Sequence, residues 1–486
     1  MYDMDAVLRV KSYATGKPQQ RGDLKRFLVE PASRSMILAF IRMGGESRPW
    51  GIVHGRPGQG PRVNYVDEPR DDNKVYGMLL EFAPALLSHL GHPDYDRGNN
   101  QGNCQVWLPN PSHVEMLHFM AFLLSRQSLR GLDDAQHSVL HSLGKACVWL
   151  FQEYRRPGQT TVMVCSDVLR DAYVFPAEPI RQHHLGFLLS WIQTRGSMHA
   201  RMKAAAKAET LSISVSLDPI KEIGIEKLLS MIRPPRVQKN GDQLRPLTSE
   251  IGKELAGELE RRYELVSQCL KVLGKDHRKI NPGVKNLRED TSYHLEHFRK
   301  NGGEYFHPDA STRSLSVALE YHGFEKNRDK YLRALVVHDK YLQAGLMLRG
   351  DAFKGKVINN DVKKIGRKMI VTWIIQGATY TPLRLDEGSK VMLCRCDGWK
   401  SNTASGVIRS IREIGNKKEY SVEITVQKKE AAKDKYMRAR VVFMSDIFIP
   451  YKDKIRERLF GKDGPGCWLT HHDARTKHEQ GNAESV

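Results

Sequence analysis

Between Gly350 and Gln427 the chain reads as a succession of short strands punctuated by turns, and few folds accept that pattern. The runs are Phe353–Ile358, Lys368–Gln376, Lys390–Cys396, Gly406–Ile411 and Tyr420–Gln427. Asn359-Asn360-Asp361, Asp386-Glu387-Gly388, Asp397-Gly398 and Gly415-Asn416 supply turn chemistry between them. Close spacing with Gly, Asn and Asp at the joints favours an antiparallel barrel or sandwich. In the last run Tyr420, Val422, Ile424 and Val426 alternate with Ser421, Glu423, Thr425 and Gln427. A period of two is that of a strand with one face buried.

Charge adds a second constraint. The 486 residues carry a net charge of +20. Residues 351–460 hold 24 Lys and Arg against 13 Asp and Glu, a surplus of 11. Over half of the net charge thus falls in under a quarter of the chain. Such a segment favours a polyanionic partner, nucleic acid first among them; a solvated basic face is the plainer alternative.

Sequence on both sides of this unit is helix-rich. Residues 1–232 read as a mostly helical domain with a few strands. Helices are expected over Leu24–Val29, after Asp23, and over Ala32–Met43, after Pro31. Trp50–His54 and Arg62–Val66 flank a Gly/Pro loop as a hairpin. Ser112 precedes an apolar stripe of Val114, Leu117, Ala121 and Leu124; Asp133 or Asp134 precedes another of Val139, Leu143, Ala146 and Leu150. Thr160–Cys165 reads as a buried strand, and Pro179 as the start of a helix carrying Leu185, Leu188, Leu189 and Ile192, ahead of the Ala/Lys-rich stretch Ala200–Ala208.

Residues 233–246, with Pro234, Pro235, Gly241 and Pro246, read as a linker. Residues 247–349 return to helix. The first carries Ile251, Leu255, Leu259, Val266, Leu270 and Leu273 and stops at Gly274; others are expected over Asn286–Lys300, from Pro308-Asp309 to Gly323, and over Glu325–Leu348. Barrel sequence occupies 350–449, a return helix 450–460, opened by Pro450, and a polar tail 461–486. The fold class expected is therefore α+β and multidomain: a mostly helical N-terminal domain and helical middle, then a small antiparallel β-barrel on a helical stalk.

Several chemistries are set aside. The phosphate-binding loop Gly-x-x-x-x-Gly-Lys-Ser/Thr is absent, since Gly55–Gly60 and Gly461–Gly466 lack the Lys-Ser/Thr that follows it. No ATPase activity and no cofactor are expected. Cys394 and Cys396 with Cys467 and His471 or His472 have the wrong spacing for a zinc finger, and no metal is expected. Arg130 with His137 and Arg288 with His294 meet the spacing of HEPN-type ribonucleases, without a continuous helix around the first pair. No catalytic residue is assigned. The seven scattered cysteines suit reduced thiols, and no apolar run is long enough for a bilayer. The start Met1–Asp5 lacks a basic region followed by an apolar core. A cytoplasmic or nuclear protein, neither secreted nor membrane-bound, is expected.

The candidate nucleic-acid-binding residues are Lys354, Lys356, Arg367, Lys368, Arg395, Trp399, Lys400, Arg409, Arg412, Lys417 and Lys418. Cations in a groove with aromatic platforms are the means by which barrels hold single strands. Trp373 alternates with Met369, Val371 and Ile375 and reads as core; Trp399, between Gly398 and Lys400, reads as the exposed platform.

The order of elements resembles the region before the motor core in superfamily 1 helicases of the up-frameshift and Sen1 type. Tyr331–Leu346 matches the outgoing stalk and Phe353–Gln376 the first strands. Pro382–Leu393 matches the entry to the next strand, Gly406–Ile411 and Tyr420–Val426 the closing hairpin, and Tyr451–Phe460 the return stalk. The resemblance spans residues 325–460 and is topological. It implies a barrel lying over a bound strand and a helicase-associated role. The family's ATP-binding motifs are expected after the return stalk and are not in this sequence. That implies a separate P-loop helicase motor as partner, a longer helicase of which this is a part, or a standalone relative. The partner expected is RNA or single-stranded DNA. A protein-interaction scaffold and a nuclease of unrecognised type are the alternatives.

Overall fold

The computed structural model describes residues 2–445 apart from 44–47, 96–101, 126–130, 238–240, 304–312, 366–367, 378–383, 396–402, 415–416 and 427–439. The fold is α+β. Two compact units are present: one built from Tyr2–Arg155 and Gln159–Tyr305, the other beginning at Phe306.

The first unit opens with α1 (Tyr2–Thr15), β1 (Gln19–Gln20) and β2 (Leu24–Lys25). Then come β3 (Ser35–Arg42), β4 (Pro49–Gly55), β5 (Arg62–Tyr65), α2 (Asp72–Leu90), β6 (Gln105–Leu108), α3 (Pro111–Leu124) and α4 (Asp134–Arg155). They are followed by β7 (Val162–Val164), α5 (Cys165–Ala172), β8 (Tyr173–Val174), α6 (Leu185–Gln193), α7 (Met198–Glu209) and α8 (Pro219–Val237). The unit closes with α9 (Gly241–Gly274), β9 (Lys279–Ile280) and α10 (Gly283–Asn301).

Its centre is a five-stranded sheet in the order β5-β4-β3-β6-β7. β3 runs antiparallel to β4 and parallel to β6. Gly51 and His54, on opposite faces of β4, show what covers each face. A Cβ on Gly51 would lie 2.7 Å from Leu259 Cδ1 of α9. The His54 ring stands on the other face, 5.2 Å from the Phe82 ring of α2. Burial on both faces explains the main departure from the sequence reading. Ala32–Met43 is not a helix: Pro31 starts one short turn, Ala32–Arg34, and the chain then enters β3. Every residue of 35–41 is buried, so the run has no polar alternation to distinguish strand from helix. Leu24–Val29 is likewise no helix, because Leu24 and Lys25 pair in parallel with Lys279 and Ile280 of β9.

Residues 233–246 are not a linker between domains. They cover the end of α8 and the start of α9, with 238–240 undescribed between them. Ile225, Leu229 and Ile232 on α8 and Ile251, Leu255 and Leu259 on α9 are all buried in the core, which holds the helices through the prolines. α6 begins at Leu185 rather than at Pro179, since His184 Nδ1 accepts the Phe187 N–H at 3.0 Å and caps the helix there. The hairpin of β4 and β5, the helices α3, α4 and α10, and the strand β7 fall where their patterns place them.

The second unit contains α11 (Arg313–Val336), α12 (Lys340–Leu348), β10 (Ala352–Ile365), β11 (Lys368–Gly377), β12 (Lys390–Arg395), β13 (Thr403–Ile414), β14 (Lys417–Val426) and β15 (Arg440–Ser445). Gly323 lies inside α11, and the break comes instead at Asp339. Its Oδ1 accepts the Tyr341 N–H at 2.9 Å and starts α12. The six strands pair antiparallel in the closed order β10-β11-β14-β13-β12-β15, with β15 returning to β10. Phe353, Val357, Val371, Trp373, Ile375, Val391, Leu393 and Ile408 are buried there. Asn359–Asp361 is not a turn but part of β10, beside a bulge between Val357 and Asn359. The expected helix Tyr451–Phe460 and the tail 461–486 lie outside the described residues. Among the described residues no helix is long and apolar enough to cross a membrane.

Candidate nucleic-acid interface

Alternation along a strand puts successive side chains on opposite faces. In β10, Phe353, Gly355 and Val357 are buried, so Lys354 and Lys356 fall on the other face; Lys356 is exposed and Lys354 half-buried. In β13, Gly406 and Ile408 are buried while Arg409 and Arg412 are exposed. These four cations therefore stand on the side of their strands away from the core.

The register relates them. Lys356 pairs with Gln376, Gln376 with Glu419, and Glu419 with Arg412. The four residues form one transverse row across β10, β11, β14 and β13. Three inter-strand steps separate Lys356 from Arg412, about 14 Å at the usual spacing. An acidic position, Glu419, stands between them, so the row is basic at its ends rather than throughout. On the other flank Lys356 is opposite Arg440 of β15.

Arg409 owes its place to a bulge. The register of β13 on β14 slips between Ile408 and Ser410, leaving Arg409 as the extra residue. The turn before β12 locks that bulge. Gly388 N–H donates to the Ile408 carbonyl at 2.8 Å, and Ile408 N–H to the Ser389 carbonyl at 3.0 Å. Glu387 Oε1 accepts the Ile411 N–H at 3.1 Å. Gly388 has φ +85°, a conformation that suits glycine in this turn.

Two further exposed cations were outside the sequence set. Lys390 opens β12 opposite Val407. Arg384 lies 3.9 Å from Asp351, a carboxylate that also takes Arg349 Nε at 3.0 Å. A cation heading a strand after a turn was the available signal for Lys390. For the other expected residues the structure gives backbone position or nothing. Lys368 is opposite Ile365, Arg395 opposite Val441, Lys417 opposite Ile414, and Lys418 opposite Gly377 and Glu413. Arg367, Trp399 and Lys400 lie outside the described residues. Trp373 is in the core.

Polar groups in the first unit are mostly structural. Arg288 Nε donates to the buried Glu30 carboxylate at 2.6 Å, which occupies one half of the Arg288–His294 pair. Arg130 lies outside the described residues. At the carboxyl end of β7, Asp167 accepts from Tyr154 Oη at 2.9 Å and pairs with His183 Nδ1 at 3.0 Å. His183 holds a left-handed φ of +58°, uncommon for histidine. Burial, and then the Asp167 charge, push the Tyr154 hydroxyl up from its ordinary value. The trio was missed in sequence because Tyr154 is on α4, Asp167 on α5 and His183 in the loop before α6. Among the described residues no His, Cys, Asp and Glu group is placed to hold a metal ion.

No family model matches the chain, and no curated protein matches it either.

Proposed function

We propose that the second unit binds single-stranded nucleic acid, RNA or DNA, through the phosphate backbone. The observation that carries this reading is the placement of Lys354, Lys356, Arg409 and Arg412 on the non-core side of strands whose other side is packed with apolar residues. Phosphate contact needs cations held by rigid backbone at separations matched to a strand, and strands supply that rigidity. The excess of 11 positive charges over residues 351–460 supports long-range attraction of a polyanion. The local resemblance to the stalk and barrel of superfamily 1 helicases extends the proposal to a helicase-associated role, with a P-loop motor as functional partner. Strand capture is the part assigned to this chain.

The reading is tested by equilibrium binding of a labelled oligonucleotide across a salt series. Each phosphate neutralised on a single strand contributes about −0.7 to the slope of log K against log salt. Four contacts contribute about −3 to that slope, similarly for different base sequences. A flat salt dependence would remove the proposal.

A further inference from the structure

We infer that α7 and the end of α1 form a second polyanion-contacting surface, in the first unit, that binds the phosphodiester backbone of single-stranded nucleic acid. It is independent of the barrel reading.

The sequence 195–209 holds Arg195, Arg201, Lys203 and Lys207 against a single carboxylate, Glu209. The helix separates these cations by role. Met198, Arg201, Ala204, Ala205 and Ala208 line the packed side, with Ala205 fully buried. His199, Lys203 and Lys207 recur every fourth residue of α7 and are all exposed; Arg195, also exposed, lies before the helix and its N-cap Ser197. Four residues advance about 6 Å along a helix, so the exposed stripe is a regularly spaced row.

The end of α1 lies next to the start of this row. A Cβ on Gly16 would stand 2.7 Å from Met198 Cβ. Arg201 Nη1 donates to the Gly16 carbonyl at 3.2 Å and its Nε to the Thr194 carbonyl at 2.9 Å. Arg201 is thus the joint between the helices, and exposed Lys11 and Lys17 stand on the α1 side of it.

What marks this surface is one-sided charge, four cations against one carboxylate over 195–209. Elsewhere in the unit, cations at packing joints are matched: Arg26 with Asp171, Arg278 with Asp276, Lys74 with Asp67, Lys221 with Glu258. The exposed face of α9 mixes Lys253 and Lys271 with Glu250, Glu254, Glu260 and Glu264. Lys11, Lys17, Arg195, Lys203 and Lys207 make no ion pair among the described residues. Two acids, on α1 and after β8, are paired with arginines, while Glu209 at the end of α7 keeps its charge. Glu209 accepts the Arg181 N–H at 2.6 Å, Glu178 pairs with Arg9 and Arg170, and Asp5 pairs with Arg21. Unbalanced cations in a row repel one another and gain most from an anionic chain that displaces their counterions.

Lysine acetylation footprinting of the full chain tests this, with and without a saturating single-stranded oligonucleotide of about 30 nucleotides, a length beyond the site of one barrel. Several-fold slower acetylation of Lys203 and Lys207 is expected when the oligonucleotide is bound. The same protection is expected in K354E/K356E/R409E/R412E, which separates this surface from the barrel. R195E/K203E/K207E should keep its far-ultraviolet circular dichroism and lose about 2 from the magnitude of the salt slope. Equal acetylation of Lys203 and Lys207 with and without oligonucleotide, while Lys354 and Lys356 are protected, would overturn this inference and leave the barrel reading standing. Protection of Lys203 and Lys207 alone would do the reverse. Failure of the chain to bind the oligonucleotide at all would overturn both.

Discussion

His113 Nδ1 accepts the backbone N–H of Phe40 at 3.1 Å, joining the first turn of α3 to the middle of β3. The other ring nitrogen faces the Ile213 carbonyl at 3.0 Å. One nitrogen must accept and the other donate, which fixes the neutral ring with the proton on Nε2. Burial, reinforced by the Arg262 guanidinium, holds His113 down to about 3. Burial and the nearby Arg62 hold His54 down to about 4.

Both rings stay neutral in the folded unit while their unfolded counterparts protonate near pH 6.5. The unfolded chain therefore binds more protons below that pH, and stability falls as pH drops from about 6.5 towards the folded values. Each ring contributes a loss of about 1.4 kcal/mol per pH unit within that window. Nitrogen NMR at pH 5 is expected to show both rings neutral, with a lower denaturant midpoint than at pH 7. A ring at position 113 that titrates near pH 6.5 in the folded protein would contradict the assignment.

Arg262 is fully buried. Its Nη1 donates to the Phe40 carbonyl at 3.1 Å and its Nη2 to the Ser216 carbonyl at 3.2 Å. Burial lowers it to about 9, with the Glu258 charge opposing that shift. Arg262→Met keeps much of the volume but leaves two carbonyls without this donor. A loss of about 3 kcal/mol in unfolding free energy is expected, with the Lys variant in between. A midpoint unchanged in Arg262→Met would mean the guanidinium is not holding the segment around Ser216 to β3.

Gly377 ends β11 where there is no room for a side chain. A Cβ there would lie 2.7 Å from the Lys354 carbonyl oxygen and 2.8 Å from Phe353 Cδ2. The first of these is backbone and has nowhere to move without breaking the pairing of β10. Gly377→Val is expected to open the barrel, seen as new protease cleavage within residues 350–445 and loss of oligonucleotide binding. Protection equal to the parent protein would show that the strands tolerate the contact.

The parts of this fold legible in sequence are those with one face in solvent or with a local turn or cap. β11 announces itself through alternation, and the hairpin of β4 and β5 through the Gly/Pro loop between its strands, although β4 is covered on both faces. β3 was hidden because both its faces are covered, so Met36–Ile41 is apolar throughout. β15 was hidden because Arg440–Ser445 carries no turn signal of its own, and closing a ring is a long-range event. Proline content misled the reading of 233–246, where burial of Ile251 and Ile232 overrides propensity. At the interface, charge counting found the cations, but only register tells that Glu419 separates Lys356 from Arg412. The bulge that turns out Arg409 is a property of strand pairing, and no residue pattern at Ile408–Ser410 signals it.

The central claim is tested most directly by fluorescence anisotropy of labelled single-stranded oligonucleotides with the full chain and with K354E/K356E/R409E/R412E. The account predicts weaker binding of the variant to every base sequence alike, and a salt slope smaller in magnitude by about 3. Affinity and slope equal to those of the parent, in a variant whose barrel resists proteolysis, would contradict it.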